Sequence, residues 1–467
     1  MIDLDSASDI PTIDRAAPVL AQRVRRVLAA SNGRRHVQRV SVPIDAPVSP
    51  LNWLRGQGDA DGFYWSHRDD AAPAMAGYGA ADCVTRTAQP LDYDALWGDI
   101  EPHLDVEGDR SLRYYGGIRF DARQAVRTPD DLWADFGTAR FVLPRVELVA
   151  NGSETLLACN LVLPRDREHA DDIVAALRDL GTPAPPPQTT PPLPLTRTDA
   201  PTEKEWRRLI RWALDAFERE ALRKIVFARR VLLDLDHVMD PLHVLAHLAD
   251  GTPSCTHFAV RPAGGATFIG ASPERLFRQS GAQVVSEAVA GTRPRGDTPQ
   301  HDAELRRELL ASDKDRREHA FVSTAIRSAL DPLCTSVETG AVSELPLARG
   351  RHLHARLDGT LRDGVRPVDL LGALHPTPAV AGVPTDAALA AIAHHEPFDR
   401  GWYAGPVGWM GRDAAEFTVA IRSGLVRNDQ LALYSGAGIV NGSDPRREWV
   451  EIEQKLSDFA AVLGIDD

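Results

Sequence analysis

Apolar positions along this chain follow two periods, helical and alternating, which trade places without forming a repeat. Residues 17–30 space their apolar side chains as an amphipathic helix with a basic face. The runs at 39–44, 63–70, 72–84, 114–121, 139–152 and 155–163 predict strands, with 63–84 as a hairpin and the last two joined across a turn. Residues 166–180 read as a helix closed by Gly181. Further on, helices are expected at 203–220, 240–250, 301–330, 367–376 and 384–396. Strands are expected at 224–235, at 257–296 as three successive strands, at 349–363, and at 402–440 as an antiparallel set. The stretch 434–455 reads as a strand, a glycine turn at 435–438, a loop, and a helix. Asp444 suits the N-cap of that helix and Pro445 its first turn. Trp449, Ile452 and Leu456 mark its apolar side, while Glu448, Glu451 and Lys455 share another face.

So many hairpins argue against a doubly wound parallel sheet. The expected class is α+β, with antiparallel sheets packed between helices. Residues 182–201 are the clearest break, because seven of the first thirteen are proline. That composition demands an extended linker or surface loop. It separates a strand-rich part, 1–200, from a second part, 202–467. A domain boundary and a single two-layered domain both fit; one integrated domain is the expectation, since the first part would need the second to bury its sheet.

Composition narrows the partners. The chain has 467 residues, 43% hydrophobic and 25% charged, as in ordinary globular proteins. A net charge of −13 provides no basic excess for nucleic acid or an anionic membrane. A small anionic substrate stays open, held by local cations or a metal. Cys83, Cys159, Cys255 and Cys334 are scattered singly, as in a reducing compartment. The acidic N-terminus lacks an apolar signal region and no run reaches membrane-span length, so a cytoplasmic protein is expected. Monomer and homodimer both stay open.

Several polar residues interrupt apolar runs, where they are costly. Lys224 starts an apolar strand, Glu274 follows a turn at 270–273, and Arg422 lies in what reads as a buried strand, where a guanidinium needs an anionic partner. Two helices each offer an acid pair three residues apart: Asp315 with Glu318, behind Ser312 as N-cap, and Glu448 with Glu451. Together the pairs could hold a hard divalent cation through oxygen, and Mg²⁺ with few protein ligands and several waters is typical.

The blocks KIVFAR, FIGASPERLF, EAVAGTRPRG, DKDRREHAFV, RHLHARLDGTL, LHPTPAVAG, HHEPFDRGWYAGPVGW, FTVAIRSG and YSGAGIVNGSDPRREWVEIEQKL cover most of residues 203–460. With them the chain resembles the chorismate-utilising enzymes, most closely the isochorismate synthases. Looser matches in the first 200 residues look more like the menaquinone branch than the siderophore branch. The resemblance implies Mg²⁺-dependent conversion of chorismate to isochorismate, with water added at C2 while the C4 hydroxyl leaves. It implies Lys224 as general base and Glu274 as general acid. It implies Glu318 and Glu451 as metal ligands, supported by Asp315 and Glu448. It places Arg422, Tyr403, the Gly436 backbone and Lys455 around substrate carboxylates, with Thr292 and His352 lining the pocket. Ala290 stands where aminodeoxychorismate synthases often place a nucleophilic lysine, and Ala379 where aminating members tend to have threonine. Anthranilate synthases generally lack the lysine corresponding to Lys224, and their LLES-type tryptophan-binding motif is absent here. Water is therefore the expected nucleophile. Two other functions stay open: a salicylate synthase, which continues to pyruvate elimination, and a non-catalytic chorismate binder or partner subunit.

Overall fold

The computed structural model describes residues 12–31, 36–44, 47–69, 73–106, 110–124, 130–152, 154–184, 192–347 and 350–462. Each strand pairing among them is antiparallel, and the organising strand is Ala139–Asn151. From it, pairing runs three ways, a short one through Glu154–Leu163 to His36–Ile44 and two long ones. One long run passes through Ala74–Arg86, Gly62–Ser66, Thr256–Arg261, Thr267–Ser272, Ser423–Arg427, Gln430–Val440 and Lys224–Leu235. The other passes through Tyr114–Ile118, Pro406–Met410, Ala414–Val419, Arg275–Ser280, Gln283–Pro294 and Gly350–Leu361. Helices cover these sheets: Asp313–Leu330 packs on Gln283–Pro294, and Pro445–Val462 packs on Gln430–Val440 and on helix Glu203–Glu218. Trp53, Trp65, Trp206 and Trp402 are fully buried among the layers. This is the α+β class expected from the hairpins. No described helix is long and apolar enough to cross a membrane.

Strands on either side of the proline-rich stretch pair with one another, Gly62–Ser66 with Thr256–Arg261 and Tyr114–Ile118 with Pro406–Met410. Residues 185–191 of that stretch lie outside the described residues. Its last part is not a free linker: Pro194–Ala200 adds an edge strand to Lys224–Leu235. Proline is tolerated at such an edge, since an outward-facing position needs no N–H for the ladder.

Several elements differ from the expectation. Residues 301–330 are not one helix but two, Pro299–Ala311 and Asp313–Leu330; the second starts where the N-cap expected at Ser312 places it, the Ser312 hydroxyl accepting from the Asp315 N–H at 3.3 Å. The helices Pro50–Arg55 and Tyr93–Leu104 were not expected. The first is too short to show a period. In the second, Gly98 and Pro102 obscure the helical spacing of Leu96, Ile100 and Leu104. The glycines of 435–438 do not make a turn. They lie inside the continuous strand Gln430–Val440, and the chain turns only after it.

The most consequential difference concerns two runs that read as single strands. The run 267–280 breaks at Pro273–Glu274, and 414–427 breaks between Ala420 and Arg422. In both, the segment before the break pairs within one of the two long runs and the segment after it within the other. Bends are how strands switch between packed sheets. Here the two crossings lie side by side. Ala271 donates to the Arg422 carbonyl at 3.0 Å, and Val419 donates to the Glu274 carbonyl at 3.0 Å. Arg422 takes a positive φ of 49°, unusual for a residue with a side chain.

Candidate active site

A cavity of about 190 Å³ lies where the crossings meet the two acid-bearing helices. The thirteen residues singled out from the sequence all line it: Lys224, Glu274, Thr292, Asp315, Glu318, His352, Ala379, Tyr403, Arg422, Gly436, Glu448, Glu451 and Lys455. They come from segments up to 231 residues apart in the chain.

Lys224 is 1% exposed, at the first position of Lys224–Leu235. Its Nζ lies 2.9 Å from Glu318 Oε1 on the neighbouring helix. Gly438, two residues before Lys224's partner Val440 in the ladder, makes this contact feasible. A Cβ there would fall 2.9 Å from Glu318 Oε1 and 3.3 Å from Lys224 Cε. Glu274, at one sheet crossing, is also buried. Burial pushes its carboxyl up to about 8; Lys224 opposes that shift and Glu287 adds to it. The backbone beneath it is fixed. Ser272 Oγ accepts from the Glu274 N–H at 3.2 Å and donates to the Val419 carbonyl at 2.6 Å, while Thr418 Oγ1 donates to the Glu274 carbonyl at 2.6 Å.

Across the cavity, His352 Nδ1 lies 3.1 Å from both Thr292 Oγ1 and the Gly291 carbonyl. Its buried Nε2 has no hydrogen-bond partner among the described residues. Burial, with Arg422 and Lys455 nearby, drives the imidazole down to about 3, so it is neutral. Tyr403 stacks on Tyr434 with ring centres 5.3 Å apart, and burial raises its phenol well above the ordinary value. Lys455 donates to the Gly436 carbonyl at 3.1 Å and pairs with Glu451 at 2.7 Å. That contact uses the Gly436 carbonyl, whereas its N–H was expected to meet a carboxylate.

The two acid pairs face the same space. Asp315 is held by Arg293 at 2.7 Å. Glu448 is pushed up to about 7, by burial first and by the charge of Glu451 second, while Lys455 holds Glu451 below its ordinary value. Among the described residues no three Asp, Glu, His or Cys side chains converge into a ready-made metal cluster. A buried acid pair with repelling charges, faced by a second pair, nevertheless fits a hard cation that takes its remaining ligands from water and substrate.

Arg293, Lys314 and Tyr434 also line the cavity and were not singled out as site residues. In a regular strand Arg293 would point away from a cavity that Thr292 faces. The register shift between Ala290 and Thr292, with Gly291 at φ 75°, lies one step earlier; Thr292 and Arg293 stay in regular register opposite His352 and Arg351, and Arg293 meets Asp315 through the length of its side chain. The glycine within EAVAGTRPRG was the signal for such a bulge.

A mixed antiparallel fold with a buried lysine, a protonated carboxyl and two acid pairs around one cavity is the architecture of an enzyme for a small anionic substrate. Residues 22–464 match the model of the family described as chorismate binding enzyme. The chain is 33% identical to isochorismate synthase 2, chloroplastic, of Arabidopsis thaliana, covering 91% of this chain and 80% of that one. It is 36% identical to the salicylate biosynthesis isochorismate synthase of Pseudomonas aeruginosa, over 78% of this chain and 77% of the relative. It is similar in structure to MenF, the menaquinone-specific isochorismate synthase from Escherichia coli, with a TM-score of 0.84 and 27% identity over 96% of this chain and 100% of the other. The chain belongs to the chorismate-binding enzyme family.

Proposed function

We propose that this protein is an isochorismate synthase that isomerises chorismate to isochorismate. The observation that carries this reading is the pairing of a buried lysine, Lys224, with a carboxyl raised to about 8, Glu274, in one cavity. Ala290 and Ala379 line that cavity with methyl groups, so the attacking group comes from solvent. Lys224 is assigned as the base that takes a proton from water as the water oxygen bonds to C2. The two ring double bonds shift, C1=C2 to C1=C6 and C5=C6 to C4=C5, and the C4 hydroxyl leaves as water with the proton of Glu274. Atoms and charge balance without an oxidant or reductant. A carboxyl that is protonated at neutral pH suits this acid role, because proton donors work best with a pKa near the operating pH.

The substrate carboxylates are assigned to Arg422, Lys455, Tyr403 and the Gly436 backbone, with Thr292 and His352 beside the ring. Arg422 offers a planar two-point contact that a lysine could not. The oxygen donors of Glu318 and Glu451, with Asp315 and Glu448 behind them, suit Mg²⁺. When bound, that ion would neutralise the ring carboxylate and help to fix its position. The chain is read as one integrated domain in a reducing, cytoplasmic setting, consistent with four free cysteines.

The test is incubation with chorismate and Mg²⁺ followed by product identification. Isochorismate is expected. Salicylate and pyruvate as main products would replace this reading with salicylate synthase. Absence of turnover would favour a binding role.

A further inference from the structure

The catalytic cavity opens into a groove of about 520 Å³, and the two share Thr292, Arg293, Arg422, Glu451 and Lys455. The groove adds Arg446 and Arg447, so five cationic side chains line it against the single carboxylate of Glu451. The cavity beyond has no such excess: Glu274, Asp315, Glu318, Glu448 and Glu451 face Lys224, Arg293, Lys314, Arg422 and Lys455. The whole chain carries −13. A dicarboxylate is therefore repelled by the chain as a whole and attracted by the local charge of this mouth.

Three of the five cations have other work. Arg293 is tied to Asp315, Lys455 to Glu451, and Arg422 sits at the sheet crossing. Arg446 and Arg447 are exposed, and among the described residues neither makes an ion pair. Stability of the helix does not account for them. They occupy the first turn of Pro445–Val462, where the helix dipole favours acids and opposes cations. Asp444 Oδ1 caps that turn by accepting from their backbone N–H groups at 3.1 and 2.9 Å, a contact any residue at these positions would make.

We propose that Arg446 and Arg447 form a cationic antechamber that captures the dianionic substrate and steers it into the cavity. A mouth of one sign focuses the field and raises local substrate concentration, and salt weakens the effect. The inference rests on the chorismate reading above. The two residues act before chemistry and touch no reacting atom.

The experiment measures kcat and KM for chorismate at saturating Mg²⁺ while KCl is raised from about 10 mM to about 0.5 M. Wild type is compared with Arg446→Glu/Arg447→Glu and the milder Arg446→Gln/Arg447→Gln. For wild type, kcat/KM should fall with salt. At low salt the charge-reversed pair should lose about tenfold in kcat/KM, within the usual range of steering effects. The neutral pair should lose less, kcat should stay within about twofold, and the gap should close at high salt. A wild-type kcat/KM that does not fall with salt would overturn the proposal, even if neither variant folds. So would a loss in the variants that persists at high salt or falls on kcat. Failure of wild type to turn over chorismate would instead strike the functional reading.

Discussion

Glu274 and Glu448 are both buried carboxyls raised above their ordinary range, yet they are held in contrasting ways. Glu274 stands on a strand crossing whose peptide groups are fastened to Ser272, Thr418 and Val419. Its shift comes mainly from burial, with a lysine opposing it. Glu448 stands on one face of a helix, and its shift comes from burial together with a second carboxylate three residues along. The first arrangement holds a proton at a fixed point. The second holds two acids whose repulsion a cation can relieve. One residue type thus serves as proton donor or as metal-facing pair according to its surroundings.

If that contrast is right, removing Glu274's proton has the largest effect. Glu274→Gln should lower kcat by about 10³-fold, within the range for general acid catalysis, and Lys224→Ala should do comparable damage with the fold retained by circular dichroism. The Gln variant should also be more stable than wild type. Glu274 ionises near pH 8 when folded against an ordinary 4.5. Between those values the folded chain holds a proton that the unfolded chain has released. Wild-type stability is therefore drawn down as pH rises through this window, and Gln escapes the penalty. The margin should grow from pH 4.5 to 8 and reach on the order of 3 kcal/mol in denaturant melts. A variant less stable than wild type at pH 8 would contradict the buried-acid picture. Wild-type kcat should likewise fall as pH rises through about 8, and that limb should vanish in whatever activity Glu274→Gln retains.

The helix-borne side should respond through the metal. Asp315→Asn leaves shape and Arg293 in place but removes a supporting charge, so the Mg²⁺ requirement should rise about 10- to 100-fold with kcat recovered at high Mg²⁺. Calorimetric titration of Mg²⁺ without substrate would check this independently of turnover. Unchanged affinity would remove Asp315 from the metal's surroundings.

The same contrast explains what could be read from sequence. The helix-borne acids were visible because three-residue spacing places side chains on one face whatever the helix packs against, and Ser312 and Asp444 marked the helix starts. Lys224 and Arg422 were visible only as charges inside apolar runs. That Glu274 and Arg422 mark sheet crossings was hidden. The turn at 270–273 put Glu274 at a strand end without showing that the chain changes partners there, and the positive φ of Arg422 falls on a residue type that does not announce it. Gly438 could be seen as small, but its reason, the Lys224–Glu318 pair it makes room for, depends on a helix more than 100 residues earlier in the chain. The family blocks tied these positions together where spacing alone could not.

The smallest expected effect probes the crossing itself. Thr418 Oγ1 donates to the Glu274 carbonyl, and both groups are buried. Thr418→Val keeps the branched shape and removes only the hydroxyl, leaving that carbonyl with one donor, the Val419 N–H. A lost hydrogen bond of about 1 kcal/mol corresponds to roughly fivefold. If the bond positions the acid, the loss should appear in kcat with KM unchanged, because Thr418 does not line the cavity. The alkaline limb should also move, since a looser crossing would expose Glu274 to water and let its pKa fall from about 8 toward the ordinary value. A purely structural role would lower the melting temperature while leaving that limb in place. Ser272→Ala, which cuts the second tie between the same two crossings, should reproduce the kinetic pattern if the crossing acts as a single brace.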